Sequence, residues 1–272
     1  GTHQELLKLG ERYARFFQAT EPETTPPINQ AAPIALATPS LHPRQDPGFR
    51  LGLWLPKAWY RRDQWLTLLT PISWLFQKLA GRKRHRSETH QLRYKCPLPI
   101  IVVGNITAGG TGKTPVVIAL AQWLAAEGYK PGVISRGFGG SAKRPTRVTA
   151  TSDPALVGDE PIMIAKSTGA PTICCRDRVR AAKQLVETTD CDVIISDDGL
   201  QHYQLPRDFE IVVIDGLRGF GNARLLPAGP LREKPTRLKE VDCVLINGPD
   251  QFKVAPASAM PIAVEVDHLF DA

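Results

Sequence analysis

Residues 100–115, IIVVGNITAGGTGKTP, constrain the fold more than any other stretch of the chain. An apolar run of strand type ends at Gly104, glycines follow, and Gly112, Lys113 and Thr114 open a helix-forming segment. Where a strand feeds a glycine-rich turn into a helix mouth, backbone N–H groups turn inward and can cradle phosphate oxygens. Lys113 can then reach the outer phosphates, and the Thr114 hydroxyl can hold Mg²⁺. The usual G-x-x-x-x-G-K-[S/T] pattern has glycine where this chain has Thr107, so Gly109 and Gly110 are expected to supply the flexibility. The predicted nucleotide loop is Thr107, Ala108, Gly109, Gly110, Thr111, Gly112, Lys113 and Thr114.

The pattern around this loop repeats strand, loop and helix from residue 98 onward. Strands are predicted at 99–103, 132–135, 172–175, 192–196, 210–214 and 241–246, and helices at 113–127 and 178–187. Such alternation gives an α/β fold of P-loop NTPase type, a largely parallel sheet flanked by helices. Residues 98–272 are assigned to this core.

A phosphate loop needs a carboxylate at the end of a neighbouring strand to hold the metal's water shell. CDVIISDDGLQH supplies Asp197 and Asp198 there, with Asp215, closing EIVVID, as a weaker competitor. Metal candidates are therefore Thr114, Asp197 and Asp198. In VGDEP, Asp159 and Glu160 fall on a loop or helix start, where a carboxylate can accept a hydroxyl proton. In SRGFGG, Arg136 directly follows a strand; it can face the same sheet edge or be simply solvated. The loop DGLRGFGNARLLPAGPLRE sets Arg218, Arg224 and Arg232 among glycines and prolines, with Asn222 between them, as suits bidentate grip on an acidic substrate. His202 either faces this pocket or caps a turn.

Composition narrows the class. With 272 residues and 42% hydrophobic content, the chain can bury a sizeable core. The five cysteines form no C-x-x-C pair, which argues against a disulfide framework or a zinc site and suits a reducing setting. A net charge of +7 fits an anionic partner without naming it.

The N-terminal part reads differently. Residues 1–20 form a short amphipathic helical stretch and 21–50 a proline-rich linker. Over 51–97, Trp54, Trp59, Trp65 and Trp74 accompany an apolar face made by Trp65, Leu68, Leu69, Ile72, Leu75, Phe76 and Leu79. The cluster Arg82, Lys83, Arg84, His85, Arg86 follows. This can be an interfacial helix resting on a membrane, or a helix packed on the protein's own core with a solvated basic end. The apolar stretch is too short to cross a bilayer.

Taken together, VGNITAGGTGKTP, SRGFGG, VGDEP, SDDGLQHY and the run 215–233 resemble the tetraacyldisaccharide 4'-kinase family over residues 51 to the end. The resemblance implies transfer of the ATP γ-phosphoryl group to the 4'-hydroxyl of a tetraacylated disaccharide 1-phosphate, with Mg²⁺, at the cytoplasmic face of the bacterial inner membrane. It makes Lys113 and Asp197 part of the catalytic set with Asp159 as base, and assigns the metal to Asp197 with Asp198. Arg136, Glu160, His202, Arg218, Asn222 and Arg224 become candidate substrate contacts. The Trp-rich helix becomes a peripheral membrane element, and nucleic acid is not expected as a partner. Ala223 departs from the family's F-G-N-G phrase, a change that a negative φ would tolerate. The chain is also expected to lack a further C-terminal lobe. Residues 1–20 separately resemble the tail of ABC exporter ATPase domains, which implies a fragment of an exporter–kinase fusion; an ordinary N-terminal helix is the alternative. The rival to the kinase is a P-loop ATPase or GTPase acting as a conformational switch, although no N-K-x-D phrase is present.

Overall fold

The computed structural model describes residues 55–89 and 94–263. The exporter-like stretch 1–20, the linker 21–50 and residues beyond 263 lie outside the described residues.

Eight strands form one sheet: β1 (Ile100–Gly104), β2 (Pro131–Ser135), β3 (Thr146–Val148), β4 (Thr172–Cys174), β5 (Val193–Asp197), β6 (Phe209–Asp215), β7 (Cys243–Asn247) and β8 (Met260–Ile262). Their order is β3-β4-β2-β5-β1-β6-β7-β8, and every pairing is parallel except β3 with β4. The chain passes from β1 to one side of the sheet through β5, then returns to the other side with β6. This reversal places a crevice at the carboxyl end of β1, where open α/β sheets bind ligands.

The central strands are buried along their whole length because helices cover both faces, which is why they read as continuous apolar runs rather than alternating ones. Ile101, Val103, Ile195 and Ile211 face α2 (Lys113–Ala126), which presents Val116, Val117, Leu120 and Leu124 to them. Ile164 of α4 (Asp159–Thr168) joins the same cluster. Ile100, Val102, Ile134 and Ile194 point the other way, onto Ala181, Ala182 and Leu185 of α5 (Arg178–Thr188). Each fully buried Ile or Leu contributes about 1.5–3 kcal/mol. The two faces together fix the register that brings the ends of β1, β2 and β5 level.

Ahead of the sheet, residues 55–61 are helical, and a 3₁₀ turn (Gln64–Leu69) leads into α1 (Thr70–Thr89). Pro71 sits in the first turn of α1, where its missing N–H costs no hydrogen bond. This segment is pinned to the core by Trp59, Leu66 and Ser73, whose hydroxyl donates to the Leu225 carbonyl at 2.9 Å. Trp65 and Leu69 pack against the Trp59 and Leu66 cluster, whereas Leu68 is 81% exposed, and Ile72, Trp74, Leu75 and Leu79 all exceed half exposure. The apolar stripe is thus divided, with Trp65, Leu69 and Phe76 half-buried and Leu68, Ile72, Leu75 and Leu79 exposed.

The predicted strands lie within two residues of those observed. β3 and the extent of α4 were not anticipated; α3 (Pro154–Val157) and α4 flank Gly158, whose φ of +85° and lack of a Cβ allow the Phe138 carbonyl to approach. The helix mouth carrying Asp159 and Glu160 is thereby set against the loop that follows β2.

Candidate nucleotide and phosphoryl-transfer site

The phosphate loop leaves β1 at Gly104 and enters α2 at Lys113. Gly109 at φ +104° and Gly112 at φ +88° adopt left-handed backbone that a side chain would strain. Thr107, in the place of the usual glycine, is buried and bridges antiparallel to Leu231. The first half of the loop is thus a short strand pairing with the segment after β6: the Ala108 N–H donates to the Pro230 carbonyl and the Arg232 N–H to the Ile106 carbonyl, both at 2.7 Å. A threonine suits such an extended position, which explains how the departure from the pattern is accommodated. Asn105 donates to the Gly109 carbonyl at 3.1 Å and closes the loop from within.

Opposite the loop, the end of β5 carries the two aspartates in different environments. Asp197 is 1% exposed and accepts from the Ser135 hydroxyl at 3.0 Å. Burial, followed by the charge of Glu160, pushes its carboxyl up to about 6 against the pull of Lys113. Its second oxygen, Oδ1, is buried with no protein partner. Asp198, at φ +49°, turns its side chain toward the loop, where Lys113 Nζ stands 3.6 Å away and Arg232 Nη1 3.3 Å away. Burial would raise Asp198, but Lys113, Arg232 and Arg178 outweigh it and hold this carboxyl below the usual range.

These residues fit Mg²⁺. An orphaned buried carboxylate oxygen on Asp197, the Asp198 carboxylate and the Thr114 hydroxyl at the helix mouth form the oxygen-only set that ion prefers. No cluster of three or more His, Cys, Asp or Glu able to hold a metal occurs among the described residues.

The remaining predicted residues divide into two groups. Glu160 lies near enough to Asp197 for its charge to raise that carboxyl, with exposed Asp159 beside it in the first turn of α4. Arg136 leaves the end of β2, the strand that pairs with β5, and its charge reaches Arg178. The Arg218 guanidinium borders the phosphate loop, since a Cβ on Gly109 would lie 3.3 Å from its Nη1. Asp215, the weaker carboxylate candidate, is occupied by this same arginine. By contrast, Asn222 spends its carboxamide on closing its own loop, donating to the Ala228 carbonyl and accepting from the Arg224 N–H. Arg224 turns to Thr67 on the 3₁₀ turn at 2.9 Å, and the His202 ring nitrogen contacts the Arg176 carbonyl at 2.8 Å. Ala223 has φ +56°, so the negative φ that would make its departure from glycine harmless is not present.

Two residues outside the predicted set, Arg178 and Gln201, hold the site together. Arg178, 1% exposed, donates to the carbonyls of Cys175 at 2.9 Å and Asp197 at 3.0 Å, which fixes the turn presenting both aspartates. Gln201 donates to the Asn105 carbonyl and, at 2.7 Å, to Glu233. A cavity of about 530 Å³ adjoins Arg218, with Lys57, Tyr60, Arg61, Arg62 and Phe252 among its walls.

Comparison with known proteins agrees with this architecture. The family model for tetraacyldisaccharide-1-P 4'-kinase (LpxK) matches residues 65–268. The chain is 54% identical over 198 residues to the tetraacyldisaccharide 4'-kinase of Nitrosococcus oceani, covering 72% of this chain and 58% of that one. It is 53% identical over 197 residues to the Chromobacterium violaceum protein of the same name, covering 71% and 58%. Among solved structures it is similar to LpxK from Aquifex aeolicus in complex with ATP, with a TM-score of 0.63 at 28% identity, covering 74% of this chain and 64% of that one. The chain thus spans less than two thirds of the length of these relatives. On sequence, fold and the arrangement of its phosphate loop, the chain belongs to the tetraacyldisaccharide-1-P 4'-kinase family.

Proposed function

We propose that this chain carries the ATP site of a lipid kinase that transfers the γ-phosphoryl group of ATP to the 4'-hydroxyl of a tetraacyldisaccharide 1-phosphate. The observation that carries the proposal is the convergence of Lys113 and Asp198, 3.6 Å apart, at the mouth of a phosphate loop in a chain of this family. Residues 107–114 wrap the phosphates, and Lys113 neutralises the transferring group. Thr114, Asp197 and Asp198 would hold Mg²⁺, which supplies charge neutralisation on the β and γ oxygens when bound. Asp159 accepts the proton of the attacking hydroxyl, with Glu160 beside it. Arg136 and Arg218 border the phosphate path, while Asn222, Arg224 and His202 shape the walls through their loop contacts. The cations of the cavity next to Arg218 suit the phosphate that the acceptor already bears.

The acceptor is a lipid, and α1 offers a way to reach it. Leu68, Ile72, Leu75 and Leu79 make an exposed apolar stripe, Lys78 lies 3.6 Å over the Trp74 ring, and Arg82 is exposed near its end. An aromatic and aliphatic face beside cations is the composition of helices that lie in the membrane interface. No helix among the described residues is long and apolar enough to cross a membrane. We place the enzyme as a peripheral protein at the cytoplasmic face of the inner membrane.

The test is transfer of labelled γ-phosphate from Mg²⁺–ATP to tetraacyldisaccharide 1-phosphate in mixed micelles, by this chain and by one extended past Ala272. Label on the 4' position is expected with either or with the longer chain. A folded, ATP-binding extended chain that labels no lipid contradicts the proposal.

A further inference from the structure

We infer that Ser73 is a positioning residue for the nucleotide site: from α1 it sets the phosphate loop through the turn at 224–232, without touching nucleotide itself. The inference rests on the ATP site proposed above. Three observations carry it.

First, an unbroken hydrogen-bonded path joins the serine to the phosphate loop. The Ser73 hydroxyl donates to the Leu225 carbonyl at 2.9 Å and accepts from the Ala228 N–H at 3.1 Å. Leu225 bridges to Leu231, with the Leu226 N–H donating to the Leu231 carbonyl at 2.8 Å and the Leu231 N–H to the Arg224 carbonyl at 3.0 Å. Leu231 bridges in turn to Thr107, where the phosphate loop begins. Residues 106–108, 230–232 and 225–226 thus stand side by side, and Ser73 bonds the segment farthest from the phosphates.

Second, the path is dry. Ser73 is 6% exposed, Thr107 5%, and Ala228 and Leu231 1% each. Water cannot replace a bond lost there, so a buried N–H deprived of its acceptor recovers one only by moving the backbone. The Ala108 N–H and the Ile106 carbonyl are both bonded to 230–232 at 2.7 Å, so a shift at 225–228 is passed on to the phosphate loop.

Third, Ser73 grips the turn more fully than its neighbours do. Trp59 Nε1 donates to the Pro227 carbonyl and Arg224 donates to the Thr67 hydroxyl, both at 2.9 Å, but each is a single bond and Thr67 is exposed. The serine engages the turn with its donor and with an acceptor lone pair at once. Its neighbour Ile72 is 53% exposed, so Ser73 occupies the face of α1 that the turn covers. Alanine would suit the helix better; what serine adds at this position is the two bonds.

The experiment is titration calorimetry with Mg²⁺–ATP on four chains: wild type, Ser73→Ala, Ser73→Thr, which keeps a hydroxyl, and Leu185→Val, a core change on α5. Circular dichroism fixes a temperature at which all are folded and gives each thermal midpoint. Ser73→Ala is expected to bind at least about threefold more weakly and Ser73→Thr to stay within about twofold of wild type. Leu185→Val is expected to lower the midpoint and leave affinity unchanged. This split separates positioning from folding, because a serine that only fastened α1 would move the midpoint and not the affinity. Unchanged affinity in Ser73→Ala, or an equal loss in Ser73→Thr or Leu185→Val, overturns the inference. A wild type that binds no Mg²⁺–ATP removes the nucleotide site first and this inference with it. Should Ser73→Ala be unfolded, Trp59→Phe serves in its place: it deletes the bond to the Pro227 carbonyl and keeps an aromatic ring. A loss of at least about threefold is again expected, and unchanged affinity again overturns the inference.

Discussion

The guanidinium of Arg178, buried to 1% exposure, donates to the main-chain carbonyl of Asp197 at 3.0 Å. A cation is thus spent on backbone, and what it secures is the turn at the end of β5 on which both aspartates are displayed. Burial depresses the guanidinium to about 10, with Asp197 and Asp198 drawing it back up. Arg178→Ala leaves the carbonyls of Cys175 and Asp197 without their donor and opens a cavity beneath the sheet. The expected loss is about 3–5 kcal/mol in urea denaturation, and Arg178→Lys should recover little of it because one ammonium cannot span both carbonyls. A loss below about 1 kcal/mol would show that the turn stands without it.

Asp197 makes the pH dependence of stability specific. Its carboxyl is raised to about 6 in the folded chain, chiefly by burial and then by Glu160, from an ordinary value near 4. Between those values the native state holds a proton that the unfolded state has released. Stability from this group is therefore fully present below about pH 4 and falls as pH rises to about 6, by up to about 3 kcal/mol. In metal-free buffer, wild type should lose stability relative to Asp197→Asn across that window, with the gap constant above it. Parallel curves for the two proteins would contradict the environment described for Asp197.

Ala223 offers a gain. At φ +56° an alanine pays for left-handed backbone that glycine tolerates, and the glycine's greater freedom in the unfolded chain offsets part of this. Ala223→Gly should raise stability by about 0.5–1 kcal/mol, read as a rise in thermal midpoint. A fall would show that the loop around Asn222 holds alanine without strain.

If α1 makes the membrane contact proposed for it, substitutions in its stripe separate that contact from folding. Ile72, Leu75 and Leu79 are more than half exposed, so replacing all three by Gln should leave the thermal midpoint nearly unchanged. Sedimentation with vesicles of phosphatidylglycerol and phosphatidylethanolamine should weaken by more than about tenfold, since each buried methylene contributes about 0.8 kcal/mol. Unaltered vesicle binding would move the lipid-facing surface elsewhere.

The sheet and the local chemistry of this candidate site are legible in the sequence. Apolar runs flanked by glycine located the central strands because strands buried on both faces carry no polar alternation to confuse them. The phosphate loop and the Asp197–Asp198 pair were legible because their chemistry is local. β3 was missed because three residues of an edge strand, two of them polar, leave little pattern to read. Arg178 was missed for a different reason. It sits between Arg176 and Arg180, which are exposed, and its partners are carbonyls that no side-chain motif records. The approach of Arg232 to Asp198 joins residues 34 apart in sequence and depends on the pairing of Leu231 with Thr107. That pairing is tertiary, as is the left-handed φ at Ala223.

The central claim is that Lys113 and the β5 aspartates form a site for Mg²⁺–ATP, and calorimetric titration of the chain with ATP, with and without Mg²⁺, tests it most directly. Wild type is expected to bind with Mg²⁺-dependent affinity, Lys113→Ala to lose at least about tenfold of it, and Asp159→Ala to bind as wild type does. ATP affinity indifferent to both Mg²⁺ and Lys113→Ala would contradict the account.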